Sequence, residues 1–176
     1  MAAIGVDRQH DIGQGAKRVS ETDIGELVAH AATLRLGDHH YGFSGRNPPD
    51  TQFMGLGLKS GEIVWRNDMI WQVPAPPNPR RPNAPPRMMN EGLFRGSLLQ
   101  TGKRIFALGE DGIFAELKLT PNGPETLQKT RLFTAREAWT LPALHQGLLY
   151  VVQNTNDSRT GKQKRLICYD LRATAN

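Results

Sequence analysis

The chain has 176 residues, including 18 glycines, 12 prolines and one cysteine, and its formal net charge is +5. This length suffices for one domain with a real core, and the single cysteine excludes an internal disulfide and a multi-cysteine metal site. The basic residues are scattered along the chain, which argues against nucleic-acid binding, and no apolar run approaches the roughly 20 residues of a membrane-spanning helix.

Residues 1–28 are polar and contain several glycines, so they are predicted to form an irregular N-terminal segment. Capping residues around Ser20 could begin a short helix, but Gly25 disfavours it. The first residues lack the charged-then-apolar pattern of a secretory signal. An export signal, if the protein has one, is therefore expected outside this sequence.

From about residue 29 the chain repeats a pattern of short apolar runs separated by glycine-based turns. In each copy a glycine lies three or four residues before an aromatic residue, which is Tyr41, Phe106 or Tyr150. The interval between the last two aromatics is about that of one four-stranded propeller blade. The predicted strands are residues 31–36, 40–43, 52–58 and 62–65 in the first copy, 96–100, 104–108, 113–119 and 126–133 in the second, and 139–144, 148–152 and 165–171 in the third.

The second copy contains the clearest element, a β-hairpin with its turn at residues 109–112. Glycine at both ends and Asp111 between them are strong turn chemistry. In the following run apolar residues alternate with Phe114, Glu116 and Lys118, so one row faces a core and the other faces solvent or a neighbouring sheet. The glycines predicted to shape the turns of the three copies are Gly61, Gly112 and Gly147.

Residues 72–90 separate the first two copies and carry most of the prolines of the chain. Proline fixes φ and removes a backbone donor, so this insert is not expected to form a central strand. It is predicted to be an exposed, extended loop between blades.

These patterns predict an all-β fold, a partial β-propeller of about three four-stranded antiparallel blades over residues 29–172, with a tail at 173–176. Propellers usually close with about 4–8 blades, so three are too few, and the third copy lacks its fourth strand. Three arrangements stay open: a piece of a longer ring, a ring completed by several chains, or an open array capped by the N-terminal segment. A fragment is the plainest of these.

The segment Gly55-Leu-Gly-Leu-Lys-Ser-Gly-Glu-Ile-Val-Trp65 resembles the signature of the pyrroloquinoline-quinone-like (PQQ-like) propeller repeat, found in folds like that of quinoprotein alcohol dehydrogenase. Residues 166–171 are similar to the Leu-x-Cys-Leu-Asp-Leu strand of that family. The resemblance implies that Trp65 is the docking tryptophan whose ring packs between neighbouring blades.

Departures from the family pattern point to its non-catalytic branch, which includes the outer-membrane assembly lipoprotein BamB. Gly57 stands where the repeat usually has Asp, and the second copy has no closing Trp. The resemblance implies a non-enzymatic protein-binding scaffold without cofactor, in the periplasm or outside the cell, whose partner is another protein or the missing blades. Two alternatives stay open: a fragment of a PQQ-dependent dehydrogenase, which would bind PQQ and calcium, and a propeller that binds carbohydrate or polyanions.

No catalytic, cofactor-binding or metal-binding residue is predicted. Adjacent strand residues point to opposite faces, which argues against a metal site at His39 and His40. Trp65 and Trp139 are predicted to pack between sheets rather than to form a stacking platform for a sugar or quinone, and Cys168 to be a small buried strand residue. The candidate partner-binding residues of exposed loops are Ser44, Arg46, Asn47, Arg80, Arg81, Asn156 and Arg159.

Overall fold

The computed structural model describes residues 33–45, 51–138 and 140–172. Within these ranges the protein is all-β and contains no helix, which confirms the predicted class. It follows that no helix in this part of the chain is long and apolar enough to cross a membrane. The predicted N-terminal segment at 1–28, the tail at 173–176, and Arg46, Asn47 and Trp139 lie outside the described residues.

Thirteen strands follow one another in the described chain. They are β1 (Leu34–Leu36), β2 (His39–Ser44), β3 (Gln52–Gly57), β4 (Ile63–Asn67), β5 (Ile70–Pro74), β6 (Met88–Gly92), β7 (Ser97–Thr101), β8 (Arg104–Leu108), β9 (Ile113–Thr120), β10 (Gly123–Arg131), β11 (Ala143–His145), β12 (Leu148–Gln153) and β13 (Arg165–Asp170).

The strands form antiparallel sheets in which neighbours in sequence are also neighbours in space. Sheet 1 has the order β1-β2-β3-β4, sheet 2 has the order β7-β8-β9-β10, and sheet 3 has the order β11-β12-β13. A separate two-stranded hairpin is made by β5 and β6. None of these sheets closes on itself within the described residues.

The predicted hairpin of the second copy is present as β8 and β9. Ile105 pairs with Leu117, and Leu108 pairs with Phe114. The turn is closed by two backbone hydrogen bonds, from Gly109 N to Ile113 O at 2.8 Å and from Gly112 N to Gly109 O at 3.0 Å. Gly112 has φ +84°, which a residue with a side chain rarely adopts. Gly61 and Gly147 also have positive φ, at +72° and +79°.

The insert at 72–90 differs from the predicted loop at both of its ends. Residues 72–74 belong to β5 and residues 88–90 to β6, and Pro74 pairs with Met88. Proline is tolerated there because a two-stranded hairpin consists only of edge strands, so a missing donor breaks no central ladder. Residues 75–87 form the connecting loop, and nearly all of them are exposed.

Two apolar clusters hold sheets 1, 2 and 3 in a stack. The first joins sheets 1 and 2, and its buried strand residues are Tyr41, Phe43, Phe53, Leu98, Ile105, Ala107, Ile113, Ala115 and Leu117. The second joins sheets 2 and 3 through the buried strand residues Phe106, Leu108, Phe114, Leu149 and Val151. Sheet 2 is therefore covered on both faces, and β9 carries the predicted alternation into two different cores.

Equivalent residues of the three sheets face the same way along the stack. Tyr41, Phe106 and Tyr150 are each two residues past the first strand residue after the turn. Tyr41 of sheet 1 points toward sheet 2, and Phe106 of sheet 2 points toward sheet 3. We call this side of each sheet its forward face.

Trp65 lies on the forward face of sheet 1, packed against the first cluster. Its ring stacks on Tyr41 at 5.7 Å between centroids and meets Phe53 edge-on at 5.2 Å. Gly55 pairs with Trp65, and a Cβ at Gly55 would come within 2.8 Å of the indole. The ring therefore covers a glycine of its own sheet and contributes to the contact with the next one.

Candidate functional site

The forward face of sheet 3 is largely apolar around Tyr150, with His145 and Asp170 toward one end, and no described sheet covers it. Tyr150 pairs with Cys168 and Val152 pairs with Leu166, so these four side chains share that face. Leu166 is 67% exposed and Cys168 is an exposed free cysteine. The expectation that Cys168 is buried is therefore wrong, because its side chain lies on the face that no described sheet covers.

The outer edge of sheet 3 is open as well. The third strand of sheet 1, β3, pairs with a fourth strand, β4, and the third strand of sheet 2, β9, pairs with β10. The third strand of sheet 3 is β13, and within the described residues it pairs only with β12. Its free side presents unpaired backbone groups, which are a template for another strand.

A cleft of about 570 Å³ lies where the β5–β6 hairpin, the end of β10 and the loops at 132–138 and 154–158 meet. Its lining includes Glu91, Asp111, Arg131, Arg136 and Asn156. One side is fixed by an ion pair in which Arg131 Nη2 donates to Glu91 Oε1 at 2.7 Å. This contact ties the hairpin to sheet 2.

The carboxyl groups of the cleft differ in their environment. Burial raises the pKa of Asp111, outweighing the opposing charges of Arg131 and Arg136. Burial also acts to raise the pKa of Glu91, but the hydrogen bond and charge of Arg131, together with Lys129, hold that pKa below its ordinary value. The cleft thus offers both a stably paired carboxylate and one that gains a proton more readily.

We expect Glu91→Gln to lower the free energy of unfolding by about 1–2 kcal/mol at neutral pH, since Arg131 loses a charged partner in a half-buried place. A group with a lowered folded pKa stabilises above its unfolded value and loses that contribution as pH falls through the folded pKa. Urea unfolding of the parent protein and of Glu91→Gln should therefore show a difference in the free energy of unfolding at pH 7 that becomes smaller in acid.

The matched control is Glu125→Gln, which removes the exposed ion pair between Lys118 and Glu125. Exposed pairs contribute little, so we expect a change below about 0.5 kcal/mol. Equal losses for the two variants would contradict the structural role of Glu91.

The loop at 154–164 is organised by the buried carboxylate of Asp157. Its Oδ2 accepts from Thr134 N at 2.9 Å, and its Oδ1 accepts from Arg159 N at 2.9 Å and from Thr160 N at 2.8 Å. These bonds lower the pKa of Asp157 to about 2. The predicted partner-binding residues Asn156 and Arg159 lie on this loop, where Asn156 lines the cleft and Arg159 is exposed.

The remaining predicted loop residues are not gathered in one place. Ser44, expected in an exposed loop, ends β2 and is buried at 8% exposure, with its hydroxyl directed to Gln52 O at 3.4 Å. Ser44 is not in a loop because β2 extends to it and pairs it with Gln52 of β3. Arg80 and Arg81 are exposed in the hairpin loop. Within the described residues no hydrogen bond or ion pair links either arginine to Asn156 or Arg159.

His39 and His40 lie in β2, and only the ring of His39 stacks on Tyr41, at 6.0 Å between centroids. In residues 33–45, 51–138 and 140–172 no three His, Cys, Asp or Glu side chains converge as a metal site would require. Sequence reasoning missed the cleft residues Glu91, Arg131 and Asp111 as a group. Glu91 and Arg131 are 40 positions apart, and no local pattern connects them.

Within the described residues, the fold and these surfaces define an all-β protein of several antiparallel sheets with an open, largely apolar sheet face, an exposed proline-rich hairpin and a mixed-charge cleft. No protein-family model matches the chain, and no curated protein is significantly similar to it.

Proposed function

We propose that this chain is a non-enzymatic scaffold built from PQQ-like propeller repeats, and that it binds another protein through sheet 3. One observation carries the proposal: among the described residues the apolar forward face of sheet 3 is uncovered, whereas those of sheets 1 and 2 are buried under the next sheet. Tyr41, Phe106 and Tyr150 hold equivalent positions, so the surface around Tyr150 is suited to receive another sheet of the same kind.

The occupant that we infer is a second copy of the chain, acting in place of further blades. Leu166 and Cys168 of this face lie on β13, whose outer edge is open within the described residues, so a partner can add both an apolar face and a pairing strand. Leu166 is the most exposed large apolar residue of the face, at 67%. Burying such a side chain favours association by about 1.5–3 kcal/mol.

Sedimentation of the purified chain over a range of concentrations tests this proposal. We expect reversible self-association that Leu166→Lys weakens by about tenfold or more, since each 1.4 kcal/mol is a factor of about ten. Leu166→Lys and the control variant Leu127→Lys should both keep the fold, because the two leucines are exposed.

The control is Leu127→Lys, a similarly exposed leucine at the bulge of β10 in sheet 2. It should leave association unchanged. A chain that stays monomeric at every concentration, or equal weakening by both variants, would overturn the proposal. A visible absorbance band on adding PQQ and calcium would instead favour the dehydrogenase alternative.

A further inference from the structure

The loop that joins β5 to β6 carries a regular proline pattern. Pro76, Pro79, Pro82 and Pro85 recur at every third position. The polyproline II helix has three residues per turn, so in that conformation the four prolines form one straight row. A loop that only connected two strands would not need such a period, since a hairpin closes with about two residues.

Two of the three arginines of the loop follow the same period. Arg81 and Arg87 are six positions apart, which is two turns of a polyproline II helix, and each follows a proline of the row by two positions. Residues 76–81 and 82–87 thus both read Pro-x-x-Pro-x-Arg. With Arg80 the loop has three arginines, and residues 75–87 contain no Asp or Glu.

The structure presents this loop to solvent on a fixed base. Residues 76–87 are all exposed, while Ala75 N donates to Arg87 O at 2.6 Å beside the pair of Pro74 and Met88. Within the described chain no hydrogen bond or ion pair engages the guanidinium groups of the three loop arginines. The charges are therefore free to meet a partner.

Two tight turns fold the loop back on itself. Arg81 N donates to Asn78 O at 2.9 Å, and Ala84 N donates to Arg81 O at 3.1 Å. Pro79 and Pro82 occupy the second position of these turns, where their fixed φ is suitable. Extending residues 76–81 opens the first turn, and extending the whole proline row opens both turns; neither turn is part of the pairing of β5 with β6 at the hairpin base.

We propose that residues 75–87 are a docking segment for a proline-recognising protein domain, with a groove lined by aromatic side chains and a carboxylate that pairs with Arg81 or Arg87. The inference rests on the proposed scaffold function and names a partner for it. Proline rows bind such grooves because their conformation is already restricted, and a guanidinium forms strong paired hydrogen bonds with a carboxylate. Three arginines would suffice to bind a polyanion, but that kind of binding would not explain why proline recurs at every third position.

Binding of the full chain to immobilised SH3, WW and EVH1 domains with acidic grooves tests this inference, with a heparin column and phosphatidylserine vesicles as comparison probes. We expect at least one domain to retain the chain. The double variant Arg81→Ala with Arg87→Ala should weaken that binding by about tenfold or more. Replacing the four prolines of the row by Ala should do the same although it keeps the charge.

The matched control is Arg66→Ala, an exposed arginine of β4 outside the loop, and it should leave domain binding unchanged. The inference would be overturned if no domain bound the chain, or if binding depended on the arginines and not on the prolines. Retention by heparin or vesicles alone would overturn it as well and would assign the loop to polyanions. Leu166→Lys should not affect this binding. If the parent chain binds none of the domains but still self-associates through sheet 3, only this inference is refuted. If it neither binds a domain nor self-associates, the scaffold function is refuted.

Discussion

Gly112→Ala is expected to lower the free energy of unfolding by about 3–5 kcal/mol, the largest effect of any single change proposed for this protein. Two costs add at this position. Its φ of +84° is unfavourable for a residue with a side chain, and a Cβ would lie 2.5 Å from both the carbonyl oxygen and a ring carbon of Phe133. The backbone oxygen cannot rotate away, so the strand after the turn or the segment at Phe133 must shift.

The turn that contains Gly112 also connects three parts of the fold. Gly112 O accepts from Leu132 N at 2.9 Å, Glu110 O accepts from Ala138 N at 3.0 Å, and Glu110 N donates to Leu93 O at 3.3 Å. A shift at the turn therefore disturbs the segment that leads from sheet 2 to sheet 3. We expect the loss to appear in urea unfolding followed by tryptophan fluorescence.

Gly102→Ala is the control for this prediction. Gly102 also has positive φ, at +57°, but an added Cβ would meet nothing within 4 Å. Only the backbone cost applies, so we expect a loss of about 1–2 kcal/mol. Equal losses at the two glycines would show that the contact with Phe133 does not contribute.

Asp157→Asn is expected to lower the free energy of unfolding by about 2–3 kcal/mol, because an amide cannot accept on both of its terminal atoms. One side of the side chain accepts from Thr134 N, the other from Arg159 N and Thr160 N. Whichever way the amide turns, an NH₂ group meets a backbone N–H. The loop that carries Asn156 should loosen from the segment at Thr134.

Acid should reproduce the effect of this substitution in the unaltered protein. The pKa of Asp157 is lowered to about 2 by the backbone donors of Thr134, Thr160 and Arg159. Stability from such a group is present above its unfolded pKa near 4 and is lost as pH falls toward the folded value. The protection factor of the Thr134 amide, which corrects for the intrinsic exchange rate at each pH, should fall over that range in the parent protein and be less dependent on pH in the variant.

Asp68→Asn provides a matched substitution at an exposed carboxylate. Asp68 Oδ1 accepts one hydrogen bond, from Gln52 Nε2 at 2.8 Å, and an asparagine oxygen can still accept it. We expect a change within about 0.5 kcal/mol. A loss at Asp68 as large as that at Asp157 would mean that the buried acceptor network has no special role.

The scaffold proposal and the docking segment use different parts of the molecule. The open face of sheet 3 depends on Tyr150, Val152, Leu166 and Cys168, whereas the proline row lies in the hairpin between sheets 1 and 2. A protein that used both would join a neighbouring sheet at one end and hold a groove-bearing domain at its side.

Much of the secondary structure was predictable because its causes are local. The alternation in residues 113–119 depends only on adjacent residues pointing to opposite faces, and the turn at Gly112 on the φ that glycine tolerates. The hairpin and most strands of the three sheets followed from these two signals. The strands at the two ends of the insert at 72–90 did not follow from them. The prolines of the insert predicted a loop, but a two-stranded hairpin has only edge strands and therefore tolerates Pro74.

The amino-acid sequence by itself determined the all-β class, the turn positions and the proline period, because each depends on residues a few positions apart. Only the tertiary structure decided that Ser44 is buried, that Cys168 is exposed, and that Glu91 pairs with Arg131 across 40 positions. Those outcomes depend on which sheet covers which face and which loops meet. Such contacts are set by the packing of the whole chain, and a local pattern does not encode them.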